Sequence, residues 1–323
     1  MKVLVTGGAG YIGRHVALAL LEAGHTVHLL DNLATSSLAQ VRTLEELVQA
    51  PVPLHLLDLA EDVASLRRLL AHQGYDGVVH LAALKSVPES LANPLQYYHV
   101  NLTGTLNLLY AMEAAGCRRL VFSSSATVYG PGAGRHEQDW PHNRSPTSPY
   151  GLTKDVAERV IRGLPDPWAV TSLRYFNPLG AHPSGRLGDP GSANVMGALM
   201  RAARDGAPFT VHGTAYETPD GTCIRDYVHV MDVAAAHVVA LERAKGKQSL
   251  NVGTGRGTSV RELVAAMVEV SGQELDVREG PARPGDIAVS TASTTRISQI
   301  YGWQATRSLA DMCRSAWQAS LQA

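Results

Sequence analysis

One short stretch limits this chain more than any other: Thr6-Gly7-Gly8-Ala9-Gly10-Tyr11-Ile12-Gly13, directly after the apolar run Val3-Leu4-Val5. Glycines 8, 10 and 13 satisfy GxGxxG, and glycines 7, 10 and 13 satisfy GxxGxxG. Such a turn lets backbone bend tightly and come close to a pyrophosphate. The helix it opens offers unpaired N–H groups and a positive dipole end. A strand that turns on glycines into a helix begins a βαβ unit, and βαβ units build parallel sheets.

The rest of the first half agrees. Short β-branched or leucine-rich runs (Val27–Leu30, Leu54–Leu57, Val78–Leu81, Leu120–Phe122, Val170–Leu173) alternate with apolar residues at helical spacing, starting near Ile12, Tyr97 and Tyr150. Strands of that kind are buried on both faces, and their crossovers are right-handed. The expectation is an α/β fold: a doubly wound, Rossmann-type parallel sheet over residues 1–176, with strand and helix segments returning from roughly 225–255. After Phe176 the texture changes. Residues 177–191 (NPLGAHPSGRLGDPG) read as loop. A helix near 193–204, a strand near 209–211, a loop over 213–225, a helix near 259–271 and a loop over 280–286 follow. Residues 177–323 are therefore expected to form a smaller mixed α/β region over the strand ends, where open α/β sheets bind ligands.

Charge narrows the partners. Lys plus Arg is 28 and Asp plus Glu is 29, so no nucleic-acid footprint or membrane-surface patch is expected, and a few placed cations must hold any anionic ligand. Cys117, Cys223 and Cys313 are far apart and form no CxxC, and the thirteen histidines include no HExxH, so neither a disulfide framework nor a metal site is expected. Apolar runs stay below membrane-spanning length, and the strand at Lys2-Val3 leaves no room for a signal peptide. The expected compartment is the cytoplasm.

Asp31 ends the second apolar run, eighteen positions past Gly13. A carboxylate there bonds the adenosine ribose hydroxyls and repels a 2′-phosphate, which favours NAD over NADP; its bland alternative is a turn residue before Asn32. Asp58 ends the third run and stands where the adenine edge would be met, although a plain strand-end carboxylate would look the same.

Tyr150-Gly151-Leu152-Thr153-Lys154 sets a tyrosine and a lysine four apart on one helix face. A free phenol, with a pKa of about 10, is a poor base at neutral pH; a neighbouring ammonium is expected to lower it. Upstream, Ser123-Ser124-Ser125-Ala126-Thr127 follows a strand, and serines there can bond a substrate hydroxyl. YxxxK alone could be an exposed amphipathic pair. In this order, with the glycines and Asp31, the set is far more specific.

These residues resemble the extended short-chain dehydrogenase/reductase family, and within it the epimerases that invert C4 of UDP-glucose and UDP-galactose. TGGAGYIG, LDNL at 30–33, LAALKSVPES at 81–90, FSSSATVYG, SPYGLTK, LRYFNPLGAHPSG at 173–185 and IRDYVHVMDVAAAHV at 224–238 carry the resemblance along the whole chain. It implies Ser125, Tyr150 and Lys154 as catalytic residues. It implies NAD held by Gly7, Gly10, Tyr11, Ile12, Gly13, Asp31, Asn32, Asp58, Leu59, Leu81, Ala82, Ala83, Lys85, Asn101, Ser123, Tyr150 and Lys154, with Tyr175 and Phe176 near the nicotinamide. The sugar would be oxidised to a 4-ketone, turned over and reduced from its other face. The related dehydratases carry Asp-Glu after the serine or threonine and the decarboxylases keep a Glu; this chain has Ala126-Thr127. Reductase-epimerases need a Cys and a His near the serines, and Cys117 lies before the strand.

For the UDP-sugar, the resemblance implies contacts from Lys85, Ser125, Ala126, Thr127, Tyr150, Phe176, Asn177, Asn194, Val195, Thr210, Val211, Arg225, Arg283 and Asp286. Each arginine could instead be a surface ion pair. His212 stands where an aromatic residue packs near uracil. Ser290 is small where a tyrosine would fill the space beside the C2 substituent, so N-acetylated UDP-sugars are expected to fit. The helices near 97–115 and 149–162 resemble those that pair in a homodimer. Two other readings remain open at this stage: a net oxidoreductase or other nucleotide-sugar modifier, and a non-catalytic NAD-binding regulator.

Overall fold

A computed structural model gives the structure of residues 1–130, 134–136, 146–189, 194–283 and 285–322, with backbone alone over 134–136. The chain forms two compact units. The first comprises Met1–Gly130, Trp140–Arg174 and Ala234–Leu250; the second comprises Pro131–Asp139, Tyr175–Val233 and Asn251–Ala323.

The first unit is built on a seven-stranded sheet, in the order Lys247–Val252, Ala169–Tyr175, Arg119–Ser125, Gly77–His80, Lys2–Thr6, Thr26–Asp31, Leu54–Leu56. The five strands from Arg119–Ser125 to Leu54–Leu56 pair in parallel. Lys2–Thr6 lies between the second and fourth strands of the chain, so the strand order reverses there, and the cleft beyond the carboxyl ends at such a reversal is the ligand position of doubly wound sheets. Val3, Leu4, Val5, Val78 and Val79 are fully buried, as strands covered on both faces require. Leu4, Leu66, Leu70, Leu108, Phe122 and Trp168 belong to one continuous core.

From near Tyr97 to about residue 115 the sequence reads as helix. The structure has Pro94–Tyr97, a π-helical segment Tyr98–Thr103, and then Gly104–Ala114. The residue types do not betray the change of pitch. Pro149–Arg162 starts as its sequence suggests: Ser148 Oγ accepts the Gly151 N–H at 3.1 Å, and Pro149 supplies the fixed φ of the first turn.

In the second unit, Val195–Asp205, Val260–Ser271 and Leu309–Ser320 pack around Leu199, Phe209, Val211, Leu263, Met267 and Met312. Two of the expected loops contain strands. Asn177–Leu179 pairs in parallel with Tyr227–His229, despite Pro178. A two-stranded edge leaves one N–H row unused, which is where a proline is tolerated. Ile224–Arg225 pairs with Val289–Ala292 and Thr258–Ser259. Val277–Gly280 pairs with Phe209–His212, so the expected 280–286 loop begins one residue later.

Candidate active site

The carboxyl ends of three parallel strands lie in register in the first unit: Thr6 opposite His80, and His80 opposite Phe122. The glycine turn, the 81–86 segment and the serine run therefore leave the sheet along one edge. His80 ties this edge together. Its Nδ1 meets Thr6 Oγ1 at 2.7 Å and its Nε2 meets Thr105 Oγ1 at 2.9 Å. Thr105 gives its own proton to the Asn101 carbonyl, so it accepts from Nε2–H, and Nδ1 accepts from Thr6. Burial pushes the His80 imidazole down to about 3, which keeps it neutral.

The glycine turn is packed too closely for side chains. A Cβ on Gly7, whose φ is +67°, would lie 2.6 Å from the Ala82 amide nitrogen, and one on Gly13 would lie 2.1 Å from the Gly7 carbonyl oxygen. At Gly10 the nearest atom would be 3.3 Å away. No side chain caps the helix Tyr11–Glu22 that follows. Asp31 Oδ2 accepts the Ala9 N–H at 3.0 Å, and its Oδ1 accepts Leu33 N–H and Ser36 Oγ–H at 2.9 and 3.0 Å. Asn32 Nδ2 donates to Asp58 Oδ2 at 2.6 Å. Thus Asp31, Asn32 and Asp58 stand together beside the turn. The cradle of backbone too tight for a Cβ, the uncapped helix start and the adjoining carboxylate fit a dinucleotide.

Asn101 lies in the π-helical segment, and its side chain is engaged. Oδ1 accepts Leu84 N–H at 2.8 Å, while Nδ2 donates to the Leu84 carbonyl at 3.0 Å and to Thr153 Oγ1 at 3.1 Å. It anchors the 81–86 segment to the helix that carries Tyr150. Lys85, on that segment, is exposed. Leu59 is buried, while Leu81, Ala82 and Ala83 are half-buried.

Tyr150, Ser125 and Lys154 meet at this edge. The Tyr150 ring stands edge-on to Tyr97, with centroids 6.5 Å apart. Lys154 Nζ donates to the Ser123 carbonyl at 2.9 Å and lies 5.0 Å from the Phe122 ring centre. Ser125 Oγ accepts both the N–H and the Oγ1–H of Thr127, at 3.2 and 2.9 Å. With its lone pairs so used, Ser125 has its own proton left to give, and the hydrogen bond between Ser125 and Tyr150 draws the phenol's pKa down.

The expected electrostatics need one correction. The sequence argument made the Lys154 ammonium the cause of a lowered Tyr150 pKa. Burial instead raises the Tyr150 phenol above its ordinary value, against the Ser125 hydrogen bond, and pushes the Lys154 amine down to about 7, against the pull of Glu158. Desolvation penalises phenolate and ammonium alike, so burying the two together opposes both charges.

Glu158 and Arg174 were not singled out in the sequence. Arg174 Nε and Nη2 donate to the two Glu158 oxygens at 2.8 and 2.6 Å, and the side chains are 1% and 0% exposed. Ser124 Oγ and Ser249 Oγ donate to the same carboxylate, and Arg174 Nη1 donates to Tyr129 Oη at 2.9 Å. Cys117 is buried, with its thiol pushed up to about 11, so it is no acid or base at neutral pH.

The second unit gathers part of the expected sugar-nucleotide set. Arg225 Nη2 lies 3.4 Å from Asp286 Oδ1, and its Nη1 donates to the Ile287 carbonyl at 2.7 Å. Asp286 N–H donates to the Arg283 carbonyl at 3.2 Å. Ser290 is buried and stands opposite Arg225 in register. Asp226 fixes this arrangement. Its Oδ1 accepts Thr254 N–H and Oγ1–H, both at 2.7 Å, and its Oδ2 accepts Gly255 N–H at 2.9 Å and Ala292 N–H at 3.0 Å. Asn177 donates backbone and side-chain N–H to the Asp226 carbonyl, at 3.0 and 3.3 Å. Phe176 N–H donates to Val252, and both Tyr175 and Phe176 are buried. Thr210, Val211 and His212 lie on the strand Phe209–His212, where His212 faces Gly280. Asn194 caps the helix Val195–Asp205: its Oδ1 accepts the Gly197 N–H at 2.8 Å. Among the described residues, no cluster of three or more His, Cys, Asp or Glu could hold a metal ion, and no helix is long and apolar enough to cross a membrane.

Comparison with known proteins adds independent findings. The model of the NAD dependent epimerase/dehydratase family matches residues 3–253. A UDP-glucose 4-epimerase of Bacillus subtilis is 44% identical over 98% of this chain and 96% of its own. The UDP-glucose-4-epimerase of Stenotrophomonas maltophila, solved with bound NAD and formylated UDP-arabinopyranose, is 39% identical with a TM-score of 0.96, over 100% of this chain and 98% of that one. The UDP-Glc/GlcNAc 4-epimerase of Campylobacter jejuni is 33% identical with a TM-score of 0.86, over 100% and 99%.

Proposed function

The chain belongs to the NAD dependent epimerase/dehydratase family, and from that premise we propose that it interconverts UDP-glucose and UDP-galactose at C4, with NAD as a resident cofactor. The observation that carries this reading is the meeting of Tyr150, Ser125 and Lys154 at the strand edge beside the glycine turn, with Ala126-Thr127 where an elimination would need an acid and a base. Bound NAD supplies reversible two-electron oxidation at C4. The residues of the chain do the rest. Tyr150 takes and returns the O4 proton, Ser125 donates a hydrogen bond that steadies the phenolate, and Lys154 supplies the positive charge beside it. Gly7, Gly10, Tyr11, Ile12, Gly13, Asp31, Asn32 and Asp58 would hold the dinucleotide. Arg225, Arg283 and Asp286 would hold the diphosphate and uridine ribose, leaving the sugar ring loose enough to turn over.

Ser290 is small and buried where a tyrosine would stand beside C2, which supports UDP-GlcNAc and UDP-GalNAc as further substrates under this reading. A second copy of the chain covers the apolar side chains that stand out on four helices: Leu95, 80% exposed, with Leu91, Leu106, Tyr110 and Leu152. The helices near 97–115 and 149–162 then form a homodimer interface. Three free, buried cysteines suit a reducing cytoplasm.

The test is to incubate purified protein with UDP-galactose and with UDP-GalNAc, separately and without added cofactor, and to separate the products. UDP-glucose in the first reaction and UDP-GlcNAc in the second support the reading. A protein that carries NAD and converts neither is not an epimerase. Conversion only in a parallel reaction with added NAD, consumed stoichiometrically, would make it a net oxidoreductase.

A further inference from the structure

Glu158 lies one helical turn beyond Lys154 and two beyond Tyr150, on the face of the helix turned into the protein. A carboxylate with no exposure is costly unless its oxygens are bonded. Here four side-chain donors reach it: Arg174 with two nitrogens, Ser124 and Ser249. Two residues of this network flank the chemistry. Ser124 stands between Ser123, whose carbonyl holds Lys154 Nζ, and Ser125. Tyr129, held by Arg174, ends the 3₁₀ turn Ala126–Tyr129 that contains Thr127.

We propose that Glu158, clamped by Arg174, is a positioning residue of the catalytic centre: it keeps the positive charge on Lys154 and fixes the strand end that presents Ser125. This rests on the epimerase reading given above. The argument starts from what surrounds Lys154. Burial pushes its amine down; Glu158 is the charge that opposes this. On the neighbouring strand His80 is neutral and lends no negative charge. Arg174, from the strand Ala169–Tyr175, is paired to Glu158 in forked geometry. From the helices packed beside Tyr150, Tyr97 is a neutral phenol, pushed up to about 12, that donates to Glu89, while His99 pairs outward with Glu61. Tyr129 gives its oxygen to Arg174. On the same helix Asp155 is bonded by Arg159 at 2.8 Å, and Glu158 is the carboxylate that acts on the amine. The bidentate Arg174 prevents it from turning away or taking up a proton.

The test measures the pH dependence of kcat for C4 interconversion in wild type, Glu158→Asp, Glu158→Gln and the double variant Glu158→Gln/Arg174→Met. The double variant removes the buried guanidinium together with its carboxylate and guards against misfolding of the single one. Removing the carboxylate lets Lys154 lose its proton at lower pH, so the alkaline limb moves toward acid by about one pH unit. Glu158→Asp keeps the charge but withdraws it by one methylene, and its limb falls between the two. NMR titration of the Lys154 amine in lysine-labelled protein reads the same shift without turnover. A variant whose activity drops equally at every pH, with limb and amine titration unmoved, overturns the proposal; if only Glu158→Asp folds, an unmoved limb in that variant does so. A wild-type protein that interconverts no C4 pair defeats the epimerase reading instead, and the amine titration still decides the role of Glu158.

Discussion

Thr127 donates its hydroxyl proton to Ser125 Oγ at 2.9 Å, and its backbone N–H points at the same oxygen. The pair fixes which way the serine proton points. Thr127→Val keeps shape and backbone bond but removes one donor, and a hydrogen bond of this kind is worth about 1 kcal/mol. kcat should fall about fivefold, with KM for the UDP-sugar and bound NAD unchanged. Steady-state kinetics with quantification of bound dinucleotide checks this; a raised KM at constant kcat would make Thr127 a plain binding residue.

Tyr150→Phe removes the hydroxyl to which the proposed mechanism gives the O4 proton, and leaves the ring against Tyr97. Turnover should drop by about 10²–10⁴ while the protein keeps its dinucleotide. Retention of wild-type turnover would remove Tyr150 from the chemistry.

Gly10 and Gly13 separate cofactor binding from folding. An alanine methyl at Gly10 meets nothing closer than 3.3 Å, whereas at Gly13 it is driven to 2.1 Å from the Gly7 carbonyl oxygen. Gly10→Ala should keep its Tm as apoprotein and bind NAD weakly; Gly13→Ala should lose several degrees of Tm as well as NAD. Calorimetry and dinucleotide titration tell the two apart, and equal Tm losses would contradict the packing argument.

Ser290→Tyr should abolish conversion of UDP-GlcNAc and leave that of UDP-glucose within a few-fold, because the phenol takes the room beside C2 and touches no reacting atom. Parallel assays of both sugars measure the ratio; an unchanged ratio would show that the gate lies elsewhere.

Stability should weaken in mild acid. His80 in the folded protein resists protonation down to about 3 and His229 down to about 4, while unfolded histidine protonates near 6.5. The unfolded state thus binds the extra protons. The stabilisation is complete above pH of about 6.5 and is lost as pH falls toward 4, at about 1.4 kcal/mol per pH unit for each histidine. Denaturant melts between pH 7 and 5 should show this slope, and it should flatten in His80→Asn.

How far the sequence could be read depended on the separation of partners. The glycine turn and Tyr150–Lys154 were legible because their requirements lie within eight and five residues. Glu158 was not: on a helix it looks like any solvent-facing carboxylate, and its partner Arg174 comes from another strand. Arg225 and Asp286 could be named, yet only folding brings them to 3.4 Å. The strand Asn177–Leu179 hid among glycines and prolines because its pairing partner lies fifty residues on. The π-helical turn that places Asn101 has no signature, since its residue types suit an α-helix equally well.

The four donors that converge on Asp226 set an order of assembly. They arrive from Thr254, Gly255 and Ala292, the last of these 66 residues downstream. On the ribosome, a chain halted before Ala292 would enclose a carboxylate with one of its four donors missing, at a cost of about 1–3 kcal/mol. The sheet of the second unit can therefore close around Asp226 only after Ala292 has emerged.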